Sequence, residues 1–343
     1  MEAFKLSIIM PVYNEADTLY EILARVIRTP IKKELVIVDD GSSDKTVEIL
    51  RNLESLRKSL SQEADAEFEL KTLFHERNMG KGTAIRTGLQ AVTGDIVLIQ
   101  DADLEYSPAD YPALVNPILE GKADVVYGSR FLGAEHRVLF FWHTVGNQVL
   151  TLLSNMLTNL NLTDMEVGYK VFRTDVLKSI TLHSKRFDFE PEVTARIARG
   201  GFRIYEVPVS YAGRTYAEGK KINWKDGIHA LGAIAWYNLI DLQPRQLPRP
   251  LPDGRPKQPG RETTSAALSL QVQVDRPILT VWVGAEYANS VPLVRLLALA
   301  YLVDVFAWPA SNMLQGIGKH RPIIPTLLPS GLVEWRDENL FPI

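Results

Sequence analysis

A chain of 343 residues with 46% hydrophobic residues has room for one large domain plus an appendage, or for two modest domains. Its formal net charge of -3 carries no basic footprint, so no nucleic-acid partner is expected. The absence of cysteine excludes disulfides, thiolate metal sites and a thiol nucleophile, and fits a reducing compartment.

From the N-terminus, residues 6–10 form a short apolar run ended by Pro11, read as a buried strand because it is too short for a signal-peptide core. Residues 14–28 show helical spacing through Leu19, Ile22, Leu23 and Val26. A second β-branched run, 35–38, ends in Asp39-Asp40-Gly41-Ser42, and residues 44–60 predict the next helix. A strand is expected over 69–74, a helix over 81–92, and a fourth strand over 96–99, ended by Gln100-Asp101-Ala102-Asp103. Continuous apolar runs without alternation predict strands covered on both faces, hence an α/β class with a mostly parallel sheet flanked by helices. In such sheets ligands bind beyond the carboxyl ends of the strands, where the polar clusters fall here.

After residues 125–128 the pattern changes. Residues 140–160 form an apolar stretch headed by Phe140-Phe141-Trp142, with helical spacing through Val145, Val149, Leu152 and Met156. Two readings compete: a helix packed on the sheet, or an amphipathic element resting at a bilayer interface. A helix over 189–199 and a strand over 205–211 follow. Residues 242–262 read as a linker rich in proline, glycine and arginine, which bounds a main domain of residues 1–241. Residues 263–343 form an appendage, either helical or membrane-associated; its stretch 291–310 approaches membrane-spanning length but is interrupted by Arg295, Asp304 and Pro309.

Two carboxylates one residue apart at a strand end, Asp101 and Asp103, supply oxygen ligands for a hard divalent cation. Such a cation bridges a diphosphate and neutralises the charge that develops as it leaves. The bland alternative is a loop of solvated or capping aspartates. A carboxylate in the 39–44 cluster can accept from a base or ribose, while Ser43 or Asp44 caps the next helix. Tyr13 can stack on a nucleobase or simply pack. Asn78-Met79-Gly80-Lys81-Gly82 combines glycine, a cation and a helix N-terminus, all suited to phosphate, although its spacing is not that of a P-loop.

Eight motifs in this order resemble the family-2 glycosyltransferases, in the branch that looks like dolichol-phosphate mannose synthases and their bacterial polyprenyl-phosphate relatives. They are Ile-Met-Pro-Val-Tyr-Asn-Glu (9–15), Val-Asp-Asp-Gly-Ser (38–42), Asn-Met-Gly-Lys-Gly (78–82) and Gln-Asp-Ala-Asp-Leu-Glu (100–105), followed by Tyr-Gly-Ser-Arg-Phe (127–131), Thr-Asp-Met-Glu-Val-Gly-Tyr-Lys (163–170), Phe-Glu-Pro-Glu (189–192) and Gly-Arg-Thr-Tyr-Ala-Glu-Gly-Lys-Lys (213–221). The resemblance implies a GT-A fold. It also implies inverting transfer of a sugar of the mannose or glucose class from a GDP- or UDP-sugar to a polyprenyl or dolichyl phosphate, dependent on Mg²⁺ or Mn²⁺. Pro11, Tyr13, Glu15, Asp40, Lys81 and Asp101 would hold the donor. Asp101, Asp103 and Glu105 would hold the metal, although the synthases often carry Gln at the position of Glu105. Asp103, Arg130 and Arg214 would serve the reaction itself, the arginines on acceptor phosphate or donor diphosphate, with Arg137 a further candidate on the acceptor side. The implied location is cytoplasmic, peripheral at the inner face of the membrane, in cell-envelope polysaccharide synthesis.

A lipid-phosphate acceptor is already ionised at neutral pH and needs alignment rather than a general base. A glycan or small-molecule hydroxyl acceptor needs a carboxylate base, for which Glu190 and Glu192 are the candidates. A third reading, a non-catalytic nucleotide-binding or scaffold protein, leaves the set Asp101, Asp103, Arg130 and Arg214 without a purpose.

Overall fold

The computed structural model describes residues 4–52, 66–138, 140–215 and 224–241. The chain divides into two units, Met1–Pro252 and Asp253–Ile343, and all the described residues lie in the first. The expected linker and appendage, and the far half of the helix expected over 44–60, lie outside the described residues.

The apolar runs become β1 (Leu6–Val12), β2 (Lys33–Asp39), β3 (Phe68–Phe74), β4 (Ile96–Ile99), β5 (Val125–Ser129), β6 (Lys170–Arg173) and β7 (Ile204–Pro208). They form one sheet in the order β3-β2-β1-β4-β6-β5-β7. Every pairing is parallel except those of β6, which runs antiparallel to β4 and β5. All residues of β2, β4 and β5 are buried, as a sheet covered on both faces requires. The covering helices include α1 (Leu19–Ile27), α2 (Thr46–Arg51), α3 (Lys81–Ala91), α4 (Tyr111–Leu119), α5 (Phe141–Thr158), α6 (Thr174–Ser179), α7 (Phe189–Gly200) and α8 (Trp224–Ala235).

Three departures from the sequence reading have local causes. β1 passes through Pro11 to Val12, because Pro11 sits near the strand end where one lost N–H costs little. α1 starts five residues later than expected: Asn14 adopts a left-handed φ of 51°, and the amides of Thr18 and Leu19 close onto the Glu15 carbonyl. β6 is only four residues long and begins with a charged residue, Lys170, so it presents no apolar run. Its ladder nevertheless carries the sheet from β4 to β5.

The amino ends of the strands hold two buried charges. Lys33 donates to the carbonyls of Ile27 at 3.0 Å and Thr29 at 2.6 Å, closing the last turn of α1. Glu34, with a fully buried side chain, takes Lys71 at 2.8 Å and Lys5 at 3.2 Å. It also accepts from Ser7 Oγ, from Thr93 and from the Gly94 amide. Burial alone would raise its pKa, but the Lys71 ion pair and the Ser7 and Thr93 hydrogen bonds outweigh it and hold the carboxyl well below the usual range. Removing it strands buried donors and Lys71, so Glu34→Ala is expected to cost about 3 kcal/mol, read as a fall in melting temperature. A depressed folded-state pKa contributes stability present above the ordinary carboxylate pKa and lost as pH falls through the folded value. The gap between parent and variant therefore narrows in acid.

Candidate active site

The carboxyl ends of β1, β2, β4 and β5 meet at one rim, and the loops beyond them carry the polar clusters. β4 delivers Asp101 and Asp103. The turn between Asp103 and Glu105 is made by Leu104 at φ 64°, a left-handed conformation that costs a bulky residue energy and brings the acidic side chains together. Asp103 Oδ1 accepts the Glu105 amide at 3.1 Å.

Arg214 reaches this cluster from the loop after β7. Its Nη2 lies 3.1 Å from Glu15 Oε1 and 3.3 Å from Asp103 Oδ2, and its Nε lies 3.8 Å from Glu105 Oε1. The Arg214 amide and the Tyr211 hydroxyl donate to the two Glu105 oxygens at 2.9 and 3.0 Å. Glu105, expected as a metal ligand, thus has both oxygens engaged in docking the 211–214 segment. Asn14, Glu15, Asp44, Asp103, Arg137 and Arg214 are among the residues lining a cleft of about 410 Å³. Arg137 donates to the Gly213 carbonyl at 3.3 Å.

One guanidinium faces several acids here. Burial, then the charges of Asp101 and Glu105, push the Asp103 carboxyl up to about 7, with Arg214 opposing. Such an excess of half-buried negative charge suits a divalent cation, which relieves both desolvation and repulsion. The oxygen donors of Asp101 and Asp103 match the hard ions Mg²⁺ and Mn²⁺.

On the other side of Asp101 stands Lys81, the first residue of α3. Its Nζ is 3.0 Å from Asp101 Oδ1 and 3.0 Å from Glu190 Oε1. Burial would lower its pKa, but the two carboxylates outweigh that and hold the ammonium above the usual lysine range. Gly168 closes the same wall: a Cβ there would sit 2.5 Å from Asp101 Oδ2. Gly168→Ala must therefore displace Asp101, and donor affinity is expected to fall at least about tenfold, a loss of 1.4 kcal/mol, read by nucleotide titration.

Two further site candidates have protein partners of their own. The glycines of the 78–82 motif admit protein rather than phosphate, since Cβ atoms on Gly80 and Gly82 would strike the backbone oxygens of Lys185 and Ser184 at 2.2 and 2.7 Å. The Met79 and Gly80 amides, at the α3 N-terminus, donate to Asp40 at 2.9 and 2.7 Å, and His75 Nδ1 lies 2.7 Å from the same carboxylate. Asp40 is thus committed to anchoring the 75–80 turn. Its neighbour Asp39, a member of the same cluster that the resemblance left aside in favour of Asp40, keeps a buried Oδ1 with no partner among the described residues. Successive strand residues face opposite ways, and that alternation was the available signal.

Arg130, beyond β5, is bound through Nε and Nη2 to Asp164 at 2.6 and 2.7 Å, and Asn147 of α5 reaches the same carboxylate at 3.0 Å. Its guanidinium also lies 5.2 Å from the centroid of the Tyr211 ring. Glu192 is fully committed, to the His183 and Ser184 amides and to Arg196 at 2.9 Å. It joins His183 and Asp241 in a group with metal-ligand spacing, but Arg196 already bridges the two carboxylates, at 2.6 Å from Asp241. Tyr13 is exposed at the rim and Pro11 lies in β1 beneath it.

An open, mostly parallel sheet with an antiparallel β6 and acids gathered at its carboxyl rim is the GT-A architecture. Consistent with it, the structure superposes on glucosyl-3-phosphoglycerate synthase from Mycobacterium tuberculosis, solved with Mn²⁺, UDP and glucosyl-3-phosphoglycerate. The TM-score is 0.52 at 20% identity, covering 68% of this chain and 80% of that one. Residues 7–181, about half the chain, match the family model of glycosyl transferase family 2, and the chain belongs to that family. Among curated relatives, undecaprenyl-phosphate 4-deoxy-4-formamido-L-arabinose transferase from Edwardsiella ictaluri is 32% identical over 218 residues, 62% of each chain. The Salmonella choleraesuis enzyme of the same name is 30% identical over 220 residues, 63% of this chain and 62% of its own. The match thus spans under two thirds of these relatives' length.

Proposed function

We propose that this chain transfers a sugar, with inversion, from a nucleotide-sugar to a polyprenyl phosphate, and that Asp101 and Asp103 hold the Mg²⁺ or Mn²⁺ that binds the donor diphosphate. The observation that carries the reading is the acidic cluster at the β4 end, drawn together by a strained turn and short of positive charge. The cation, when bound, offsets the negative charge that grows on the departing nucleoside diphosphate.

The residues of the chain do the rest. Glu15, Asp39 and Tyr13 line the nucleotide end, and Arg214 moves from carboxylate to phosphate as the donor fills the cleft. The acceptor phosphate oxygen attacks the anomeric carbon as its bond to the diphosphate breaks, and no proton has to leave the nucleophile. A hydroxyl acceptor would need a free carboxylate base; both oxygens of Glu192 are spoken for, and Glu190 keeps only Oε2, which is shut off from solvent, its Oε1 being held by Lys81. That supports phosphate over a glycan hydroxyl as the acceptor. Arg130 and Arg137 are the acceptor-side cations in this reading.

The acceptor's apolar tail has a matching surface. Phe141 and Trp142, at the start of α5, are 68% and 71% exposed, and Leu152, Met156, Ile228 and Trp236 are also exposed on α5, α8 and the turn beyond it. Asn147 ties this helix to the Arg130–Asp164 pair. We infer that α5 rests on the membrane surface, at the inner, cytoplasmic face that the resemblance implies. Among the described residues no helix is long and apolar enough to cross a membrane.

The resemblance points to a sugar of the mannose or glucose class on GDP or UDP, whereas the curated relatives are named for 4-deoxy-4-formamido-L-arabinose. A screen of labelled nucleotide-sugars against polyprenyl phosphate, a glycan acceptor and no acceptor tests the reading. Label in the solvent-extractable lipid is expected; label on the glycan alone would overturn the acceptor assignment.

A further inference from the structure

The wall beside Asp101 holds two buried carboxylate oxygens that the mechanism does not use. Glu190, on α7, is 5% exposed; its Oε1 takes Lys81, while its Oε2 has neither solvent nor a hydrogen-bond partner among the described residues. Glu166, in the loop before β6, likewise has an Oε1 shut off from solvent and unpartnered there. The two side chains sense each other: burial first, then the charge of Glu190, pushes the Glu166 carboxyl up to about 8. The same loop presses Gly168 against Asp101 Oδ2, and Lys81 links Glu190 to Asp101 directly. Both orphaned oxygens thus belong to elements in contact with Asp101.

A buried acceptor left empty costs about 1–3 kcal/mol, so such atoms mark either strain or a missing donor. A cation is a poor candidate for that donor. Lys81 already occupies one side of the pair, and the Lys170 ammonium lies buried on the other, held by the Val167 carbonyl and 4.9 Å from the Tyr127 ring centroid. Neutral O–H donors suit the site, because they satisfy both oxygens without adding charge. Beside a donor diphosphate anchored at Asp101, the neutral polyol within reach is the glycosyl ring.

We propose that Glu166 and Glu190 receive two hydroxyl groups of the transferred sugar, and that they set which sugars the enzyme accepts. The proposal rests on the donor-site reading above and assigns its sugar subsite. It places Glu190 on the donor side rather than as a base for an acceptor hydroxyl.

The test compares binding with and without the sugar. Parent, Glu166→Gln and Glu190→Gln are titrated by calorimetry with UDP, GDP, UDP-glucose and GDP-mannose in the presence of Mn²⁺. Glu166→Gln is the cleaner variant, since Glu166 does not touch Lys81, and retained binding of the bare nucleotide reports that the fold survives. With its carboxyl pushed up to about 8, Glu166 is mostly neutral at pH 7, and a hydrogen bond between neutral groups is worth about 0.5–1.5 kcal/mol, so in Glu166→Gln the preferred nucleotide-sugar should lose roughly three- to tenfold in affinity while the bare nucleotide stays within about 1.5-fold. Equal losses for nucleotide and nucleotide-sugar, or no loss for either, would overturn the subsite. Failure of the parent to bind any of the four would instead sink the donor-site reading, and this inference with it.

Discussion

Replacing Asp103 by alanine is expected to lower kcat at least about a thousandfold, equivalent to about 4 kcal/mol of transition-state stabilisation, without unfolding the protein. Asp103 sits between Asp101 and Glu105 at the β4 end, 3.3 Å from Arg214, and supplies one of the two carboxylates proposed to hold the cation. Its loss removes a charge aimed at the donor diphosphate's counter-ion, so kcat should suffer more than KM. Stability should move the other way. Burial and the charges of Asp101 and Glu105 raise the folded-state pKa to about 7. A group raised in this way contributes stability that is complete below the unfolded pKa and is lost as pH rises through the folded value. In metal-free buffer the parent should therefore weaken between about pH 4 and 7. Asp103→Ala removes that slope, so its melting temperature at neutral pH should equal or exceed the parent's, as thermal scans across this range will show.

Arg214→Ala should cost about a hundred- to a thousandfold in turnover, the scale of losing one preorganised charge at a developing anion. Arg214 is the cation in hydrogen-bonding reach of both Glu15 and Asp103, at 3.1 and 3.3 Å, and its amide anchors Glu105. Removing the side chain leaves like charges facing one another, so stability should also fall in chelator. Mn²⁺ with nucleotide should restore the melting temperature but not the rate. Arg214→Lys keeps the charge but loses the planar fork, and should recover only part of the activity. A variant that turned over like the parent would remove Arg214 from the mechanism.

The strands of the parallel half were legible because each is a continuous apolar run closed by a polar turn, and 96–99 matched to the residue. β6 was not legible, since a buried lysine and a terminal arginine disguise a strand whose place is set by its two neighbours. Within the site, five residues singled out by type, Asp101, Asp103, Glu15, Lys81 and Arg214, come together at the rim. What sequence alone cannot assign is which oxygen is already spent. Asp40 and Asp39 are adjacent and chemically identical, yet one anchors a turn and the other keeps an acceptor with no partner among the described residues. Glycines at 80 and 82 signalled close approach correctly, but only packing reveals that the approaching atoms are the backbone of 184 and 185. Glu166 drew no attention, because its isolation follows from burial by elements distant in sequence.

The account depends on acids at the strand ends gripping a cation against the donor's leaving group. Its most direct test follows release of nucleoside diphosphate from the preferred nucleotide-sugar, with polyprenyl phosphate present, as EDTA and then excess Mn²⁺ are added to one reaction. Release should stop with the chelator and resume with the metal in the parent, and stay absent throughout in Asp103→Ala. Undiminished release in EDTA, or in that variant, would contradict the assignment.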